Sequence, residues 1–256
     1  MPDKNSDVLY EVEGSVARIT LNRPEKRNAL GESLVSQLKE SLRRANADDS
    51  IRAIVIRGAG TDFCSGADLA ALQKIAEGSV ADNTADARSL MEVFTLIREV
   101  SAPVVAAVHG RALAGGCGLA SACDIVLASA SARFGYPEVK IGFVPAMVAA
   151  TLRRNVSEKR AFELLTLGQE ISADDARDIG LVNRVFPDDS FESETTAFVE
   201  GFQKMSGSAV ALAKKLLYQM DGLAFRDALE TGVDVNVLAR MSADCQAGIA
   251  KFLKKG

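Results

Sequence analysis

Three short segments carry residue types that could do chemistry, and each lies where a strand gives way to a turn or a helix. The first is Phe63-Cys64-Ser65-Gly66-Ala67-Asp68; the second is His109-Gly110-Arg111-Ala112-Leu113-Ala114-Gly115-Gly116-Cys117-Gly118. The first turn of a helix presents unpaired N–H groups at the positive end of the helix dipole. Two such starts facing one point would hold the oxyanion that forms on a carbonyl, each donor contributing roughly 3–4 kcal/mol to a transition state. Taken singly, each segment reads more simply as a tight turn with close helix–strand packing. A nucleotide-phosphate reading is weaker, because the second segment lacks the Walker lysine and the dinucleotide glycine spacing. The third segment, Phe134-Gly135-Tyr136-Pro137-Glu138-Val139-Lys140-Ile141-Gly142-Phe143-Val144-Pro145, sets an acid between a proline and apolar residues. A carboxylate in apolar surroundings has a raised pKa and can exchange protons near neutrality. In isolation Glu138 also reads as the acid of a surface turn.

The remaining chemistry-bearing residues narrow the field. His109 is the one histidine, which excludes a His-rich zinc site; its place at the end of PVVAAV reads as a structural strand end. Cys64, Cys117, Cys123 and Cys245 form no C-x-x-C pair and read as free thiols, with Cys64 and Cys117 as packing residues within the first two segments rather than nucleophiles. Ser65 lacks the G-x-S-x-G setting of a hydrolase nucleophile. The chain of 256 residues is 48% hydrophobic and 25% charged, with a net charge of −4. That is globular composition, and the acidic balance argues against nucleic acid or an anionic membrane as partner. The polar start and the absence of a long apolar run predict no secretory leader and no membrane span, hence a cytoplasmic protein.

The elements that must position these segments follow from periodicity. Strands are predicted at 16–21, 52–57, 103–108 and 124–128, and helices at 31–47, 85–100 and 115–123. Residues 22–28 read as a loop, and 73–87 as a mobile loop or weak helix near the site. Beyond Pro145 the pattern is almost wholly helical, with Ser157 and Ser172 as N-caps and apolar stripes at 191–206, 208–220, 225–241 and 244–253. Strands first and helices last make the chain α/β, with a sheet-rich core and a helical extension.

Together, N-R-P-x-x-x-N-A-L (22–30), F-C-S-G-A-D, G-R-A-L-A-G-G-C-G-L-A-S-A-C-D, F-G-Y-P-E-V-K-I-G and I-S-A-D-D-A-R-D-I-G-L-V-N-R-V resemble the crotonase (enoyl-CoA hydratase/isomerase) superfamily from Val8 to Leu253. The resemblance implies a spiral of strand-strand-helix repeats over 1–195 and a C-terminal helical oligomerisation region over 196–256, assembled as homotrimers or homohexamers. It implies an acyl-CoA substrate and no separate cofactor or metal. It assigns the oxyanion donors to Ala67 and Gly115 and the catalytic acid to Glu138. The coenzyme A channel falls to Ala67, Asp68, Leu69 and Ala70, with Gly115 and the loop residues Lys26 and Arg27.

One position departs from the family pattern. Gly118 stands where typical hydratases carry a second glutamate. Glu138 alone could then hydrate a 2-enoyl-CoA, with a bulky or branched acyl group in the space beside Gly118 and an added side chain there tolerated. Alternatively it could shuttle a proton between carbons as a 3,2-enoyl-CoA isomerase, or the chain could be a non-catalytic acyl-CoA-binding protein. Asp86 and Glu92 are the carboxylates that could reach the acyl pocket; Asp68 reads as a helix-start residue and Asp124 as structural. The pocket walls are expected at 69–87 and 146–150.

Overall fold

The computed structural model describes residues 6–254, without the side chains of Leu69 and Ala70. The chain begins with a hairpin, β1 (Val8–Glu13) and β2 (Val16–Leu21), paired antiparallel with Val8 opposite Leu21. Helix α1 (Glu32–Asn46) follows, and its Leu34, Leu38 and Leu42 stripe is fully buried. Strand β3 (Ala53–Gly58) then pairs parallel to β2. Two helices, α2 (Leu69–Glu77) and α3 (Val80–Glu99), lead to β4 (Val104–Val108), parallel to β3.

From β4 onward the chain repeats one move: a strand in the main sheet, a short strand in a second sheet, then helix. Strand β5 (Arg111–Leu113) precedes α4 (Gly115–Ala122); β6 (Ile125–Ser129) and β7 (Arg133–Gly135) precede a 3-10 turn at Pro137–Ile141. Helices α5 (Ala146–Asn155) and α6 (Glu158–Leu167), strand β8 (Glu170–Ser172) and α7 (Ala173–Asp178) come next. Strand β9 (Arg184–Phe186) closes the main sheet, ordered β1-β2-β3-β4-β6-β9; the second sheet runs β5-β7-β8. This is the strand-strand-helix spiral expected of the α/β chain.

Both faces of the parallel strands are buried, which is why they read as continuous apolar runs rather than alternating ones. Ile54, Ile56, Val104, Ala106 and Val108 face the larger core with α1 and α3. Ala53, Val55, Val105 and Ala107 face a smaller core closed by Phe191 and Val199 of α8 (Phe191–Glu200). Helix α8 spans the 195/196 division set from sequence, and a 3-10 turn at Gly201–Lys204 ends the stripe expected to run to 206.

Helix α9 (Gly207–Gln219) is bound to the core through Lys214. Its ammonium donates to the carbonyls of Ile97 (2.7 Å) and Ala102 (3.0 Å) and pairs with Asp124 at 2.7 Å. Asp124 also accepts from the Val104 amide and the Tyr218 hydroxyl, so its structural assignment holds. By contrast, α10 (Phe225–Met241) and α11 (Ala243–Leu253) bury none of their side chains. Among the described residues no helix is long and apolar enough to cross a membrane.

Of the two readings of segment 73–87, loop or weak helix, the structure has the helical one: α2 runs to Glu77 and α3 begins at Val80, with Gly78 and Ser79 between them. Ser79 and Asp82 form a reciprocal capping box that starts α3, and a helix whose first half is exposed carries no apolar stripe for a periodicity reading to find. Strands β1, β5, β7, β8 and β9 were missed, the last four being only three residues long and the first carrying three glutamate or tyrosine side chains on an exposed edge.

Lys214→Met is expected to lower stability by about 3 kcal/mol, because it leaves Asp124 buried without its cation. Urea unfolding checks this; a loss below about 1 kcal/mol would show that the pair does not anchor α9.

Candidate active site

The first catalytic junction is built by backbone pairing. Cys64 continues the second sheet, its amide donating to Arg111 (3.0 Å) and its carbonyl accepting from Leu113 (2.9 Å). Two residues on, the chain pairs with Leu30 on its other side: Leu30 N–H donates to Gly66 (2.6 Å), and Asp68 N–H donates to Leu30 (3.3 Å). In such a parallel bridge the middle residue, Ala67, turns its own amide away from the pairing strand. Among the described residues no acceptor meets that amide, and Ala67 is exposed.

The second junction is the start of α4. Gly118 N–H closes the first helical bond onto Ala114, which leaves the Gly115 amide without an acceptor among the described residues. Ala114 holds φ 51°, ψ −126°, a backbone region that L residues rarely adopt. Such strain costs on the order of 1–3 kcal/mol and is kept where the surroundings over-determine it. Here the Ala114 amide is bonded to Gly135 of β7 at 2.8 Å.

The two junctions touch. A Cβ on Gly66 would lie 2.6 Å from Ala114 Cβ and 3.5 Å from the Gly115 nitrogen, and one on Gly116 would lie 2.3 Å from the Cys64 carbonyl oxygen. Only glycine permits this approach, which sets the backbone around Cys64 and Gly66 directly against that of Ala114 to Gly116.

Glu138 sits in the 3-10 turn after β7, half-buried, with Oε2 shut off from solvent and without a hydrogen-bond partner. Burial raises its pKa, partly offset by a bond to its own backbone amide. It lies within electrostatic range of Cys117 in the first turn of α4 and of the Tyr136 hydroxyl. Tyr136 is fully buried, facing Cys117 and Ser121 without a well-formed hydrogen bond to either. Burial pushes the Cys64 and Cys117 thiols up to about 12, so neither supplies a thiolate near neutrality.

The other candidates fall out as follows. Asp68 is buried and accepts from Arg23 at 2.6 Å, with Lys26 at 3.4 Å, so it ties the 22–28 loop to the start of α2. Lys26 is half-exposed on that loop, and Arg27 is exposed with a left-handed backbone (φ 50°). Leu69 and Ala70 open α2, and the placing of their side chains lies outside the described residues. His109 Nε2 donates to the Gly60 carbonyl at 3.0 Å, in keeping with a strand-end role. Glu92 is exposed and paired with Lys39, and Asp86 is exposed on α3.

Gly118 requires a correction. No acyl-sized space adjoins it: a Cβ there would lie 2.1 Å from Val148 Cγ1, 3.0 Å from Val148 Cβ and 3.4 Å from Phe94 Cζ. Helix α5 crosses α4 here, and its Val148 occupies the volume an added side chain would need. Val148 lies in the 146–150 wall expected from sequence, but its contact with Gly118, and that of Phe94, was missed because nothing local marks a contact between helices about 30 residues apart in the chain. The pairing role of Leu30 was missed likewise.

A spiral of strand-strand-helix turns, with two glycine-bearing junctions pressed together and a desolvated glutamate after β7, is the architecture of the crotonase class. The family model for enoyl-CoA hydratase/isomerase matches residues 11–256, and the chain belongs to that family. A Thermus thermophilus relative is 40% identical over 248 residues, covering 96% of this chain and 98% of its own. The 2,3-dehydroadipyl-CoA hydratase of Escherichia coli is 34% identical over 251 residues, covering 98% and 96%. The crystal structure of an enoyl-CoA hydratase from Mycobacterium smegmatis superposes with a TM-score of 0.93 at 34% identity, covering 97% and 96%.

Gly118→Ala is expected to cost about 1–3 kcal/mol through overpacking, and most of that cost should vanish in a Val148→Ala background. Thermal or urea unfolding of the four proteins in this cycle measures the coupling. A Gly118→Ala protein as stable as wild type would show that α4 and α5 do not meet closely there.

Proposed function

We propose that this chain is an enoyl-CoA hydratase in which Glu138 is the single proton-transferring carboxyl group. The observation that carries the reading is the buried, unpartnered Glu138 Oε2 beside α4, with the Ala67 and Gly115 amides free to receive a thioester oxygen. The two N–H groups bind that oxygen and strengthen as it gains negative charge. Water adds its oxygen to C3 of the 2-enoyl group while the Glu138 carboxylate takes its proton. The C2–C3 π electrons move to form the enolate. The carboxyl then returns the proton to C2, leaving the 3-hydroxyacyl thioester and the regenerated carboxylate. The net change is addition of H and OH, with no electrons passed to an acceptor, so the reaction calls for no redox cofactor and coenzyme A is part of the substrate. Lys26 and Arg27, exposed on the loop that Asp68 ties to the start of α2, meet its phosphates in this reading. Residues 67–70 form the adjoining channel wall, with Asp68 acting through the loop it anchors.

The reading extends to assembly and location. Phe225 (80% exposed), Met241 (76%) and Phe252 (79%) head an apolar surface on α10 and α11 that suits contact between copies of the chain, as a homotrimer or homohexamer. The unpaired thiols suit the reducing cytoplasm.

The first test incubates the purified protein with crotonyl-CoA and with 3-hexenoyl-CoA. Loss of the conjugated thioester absorbance with crotonyl-CoA is the expected result. A rise with 3-hexenoyl-CoA alone would assign isomerisation instead, and silence in both would overturn the hydratase reading. Glu138→Gln should lower hydration by roughly 10²–10⁴-fold. Wild-type activity should fall, as pH drops, at a higher pH than an ordinary glutamate would give. The raised pKa also means that the folded chain keeps a proton the unfolded chain has released, so stability declines as pH rises across that window. Glu138→Gln removes that decline, which melts at several pH values would record. Light scattering should give three or six times the chain mass; a monomer would leave the α10–α11 surface unexplained by self-association.

A further inference from the structure

A second cavity lies behind the catalytic helix. Helices α3, α5 and α9 enclose a cleft of about 970 Å³, lined chiefly by hydrocarbon and thioether groups that include Met91, Phe94, Met147, Ala150 and Leu212. Its walls are fixed by charged ties rather than by loose contact. Asp221 accepts from Arg98 of α3 and from Arg154 of α5, each at 2.7 Å, and Lys214 bonds α9 to the carbonyl groups at the end of α3. The cleft is therefore a held volume, not a seam that packing would close.

Phe94 belongs to both this cleft and the catalytic helix. Its ring lines the cleft, while its Cζ would stand 3.4 Å from a Cβ on Gly118. Gly118 is three residues along α4 from Gly115, about 4.5 Å along the helix axis from the amide that receives the thioester oxygen. Phe94 is only 7% exposed, and with Val148 it closes the region around Gly118 from the cleft.

We propose that Phe94 is the residue that sets acyl chain length: its ring forms the end wall of the acyl pocket, and the cleft behind it receives the distal part of a longer unbranched alkyl chain when the ring is absent or turned aside. The apolar part of the lining suits that class of ligand, since methionines adapt to a flexible alkyl chain; of the charged side chains that also line the cleft, Arg98 and Arg154 are tied to Asp221 and Lys214 to Asp124, while Glu99 and Lys215 complete the polar part of its wall. The inference rests on the hydratase reading for its kinetic test but not for its binding test.

The test compares kcat/KM for crotonyl-, 2-hexenoyl- and 2-decenoyl-CoA in wild type, Phe94→Ala and the milder Phe94→Leu. Dissociation constants for the unreactive butyryl- and decanoyl-CoA are measured alongside. Wild type is expected to favour crotonyl- over decenoyl-CoA by more than about tenfold. Phe94→Ala should shift the decenoyl-to-crotonyl ratio toward the longer chain by at least about tenfold, mainly through KM, with Phe94→Leu moving it less in the same direction. Adding Met91→Trp to Phe94→Ala, which refills the cleft, should restore the preference for the shorter chain. A ratio unchanged in both Phe94 variants, or a wild type that takes decenoyl-CoA as readily as crotonyl-CoA, overturns the proposal. If no enoyl thioester is turned over by wild type, the hydratase reading fails, and the ratio of decanoyl- to butyryl-CoA dissociation constants still decides the role of Phe94.

Discussion

The backbone of residues 64–66 lies directly against that of 113–116, with no room for a side chain between them. Gly66 faces Ala114 and Gly116 faces the Cys64 carbonyl, each at a separation a Cβ would violate. Much else depends on this contact. It joins Cys64 to the second sheet, brings two helix starts from separate turns of the spiral to one point, and fixes the strained Ala114 that aims the Gly115 amide. A donor pair preorganised by backbone contact loses little on reorganisation when charge develops, which is the physical basis of oxyanion stabilisation. The parallel strands behind the junctions supply the rigidity, since they are buried on both faces.

Around that contact the charges are arranged by burial. Asp68 is buried but accepts from Arg23, so the 22–28 loop and the start of α2 move as one unit. Glu138 is held without such a partner, and the low dielectric that would penalise its charge also favours exchange of its proton. On α4, Val148 and Phe94 fill the side where Gly118 has no side chain.

The fold class and the catalytic elements were legible because they rest on local features. Apolar runs such as VARITL and PVVAAV mark buried parallel strands, and the serine caps at 157 and 172 are visible in the structure as hydrogen bonds to the third helical amides. The motifs singled out the segments of Ala67, Gly115 and Glu138, but the backbone contact that presses the first two segments together was not readable from them. What escaped were contacts between elements far apart in sequence. The Val148–Gly118 approach depends on how α5 crosses α4, so the glycine read as vacancy when it is a packing site. Segment 73–87 was left between loop and weak helix for a different reason: a capping box starts α3, but its exposed first half lacks the apolar period that identifies most helices. Short strands such as β8 and β9 have too few residues to alternate, and only their partners define them.

Three of the four cysteines mark this architecture from within. Cys64 lies in the first junction, Cys117 in the first turn of α4 and Cys123 just past its end, all buried, while Cys245 on α11 is partly accessible. A thiol that is both sealed and held in its neutral form reacts with an alkylating reagent only when the surrounding structure opens. The protein therefore carries its own chemical clock: the accessible cysteine sets the time base, and the sealed ones record how often the two junctions part.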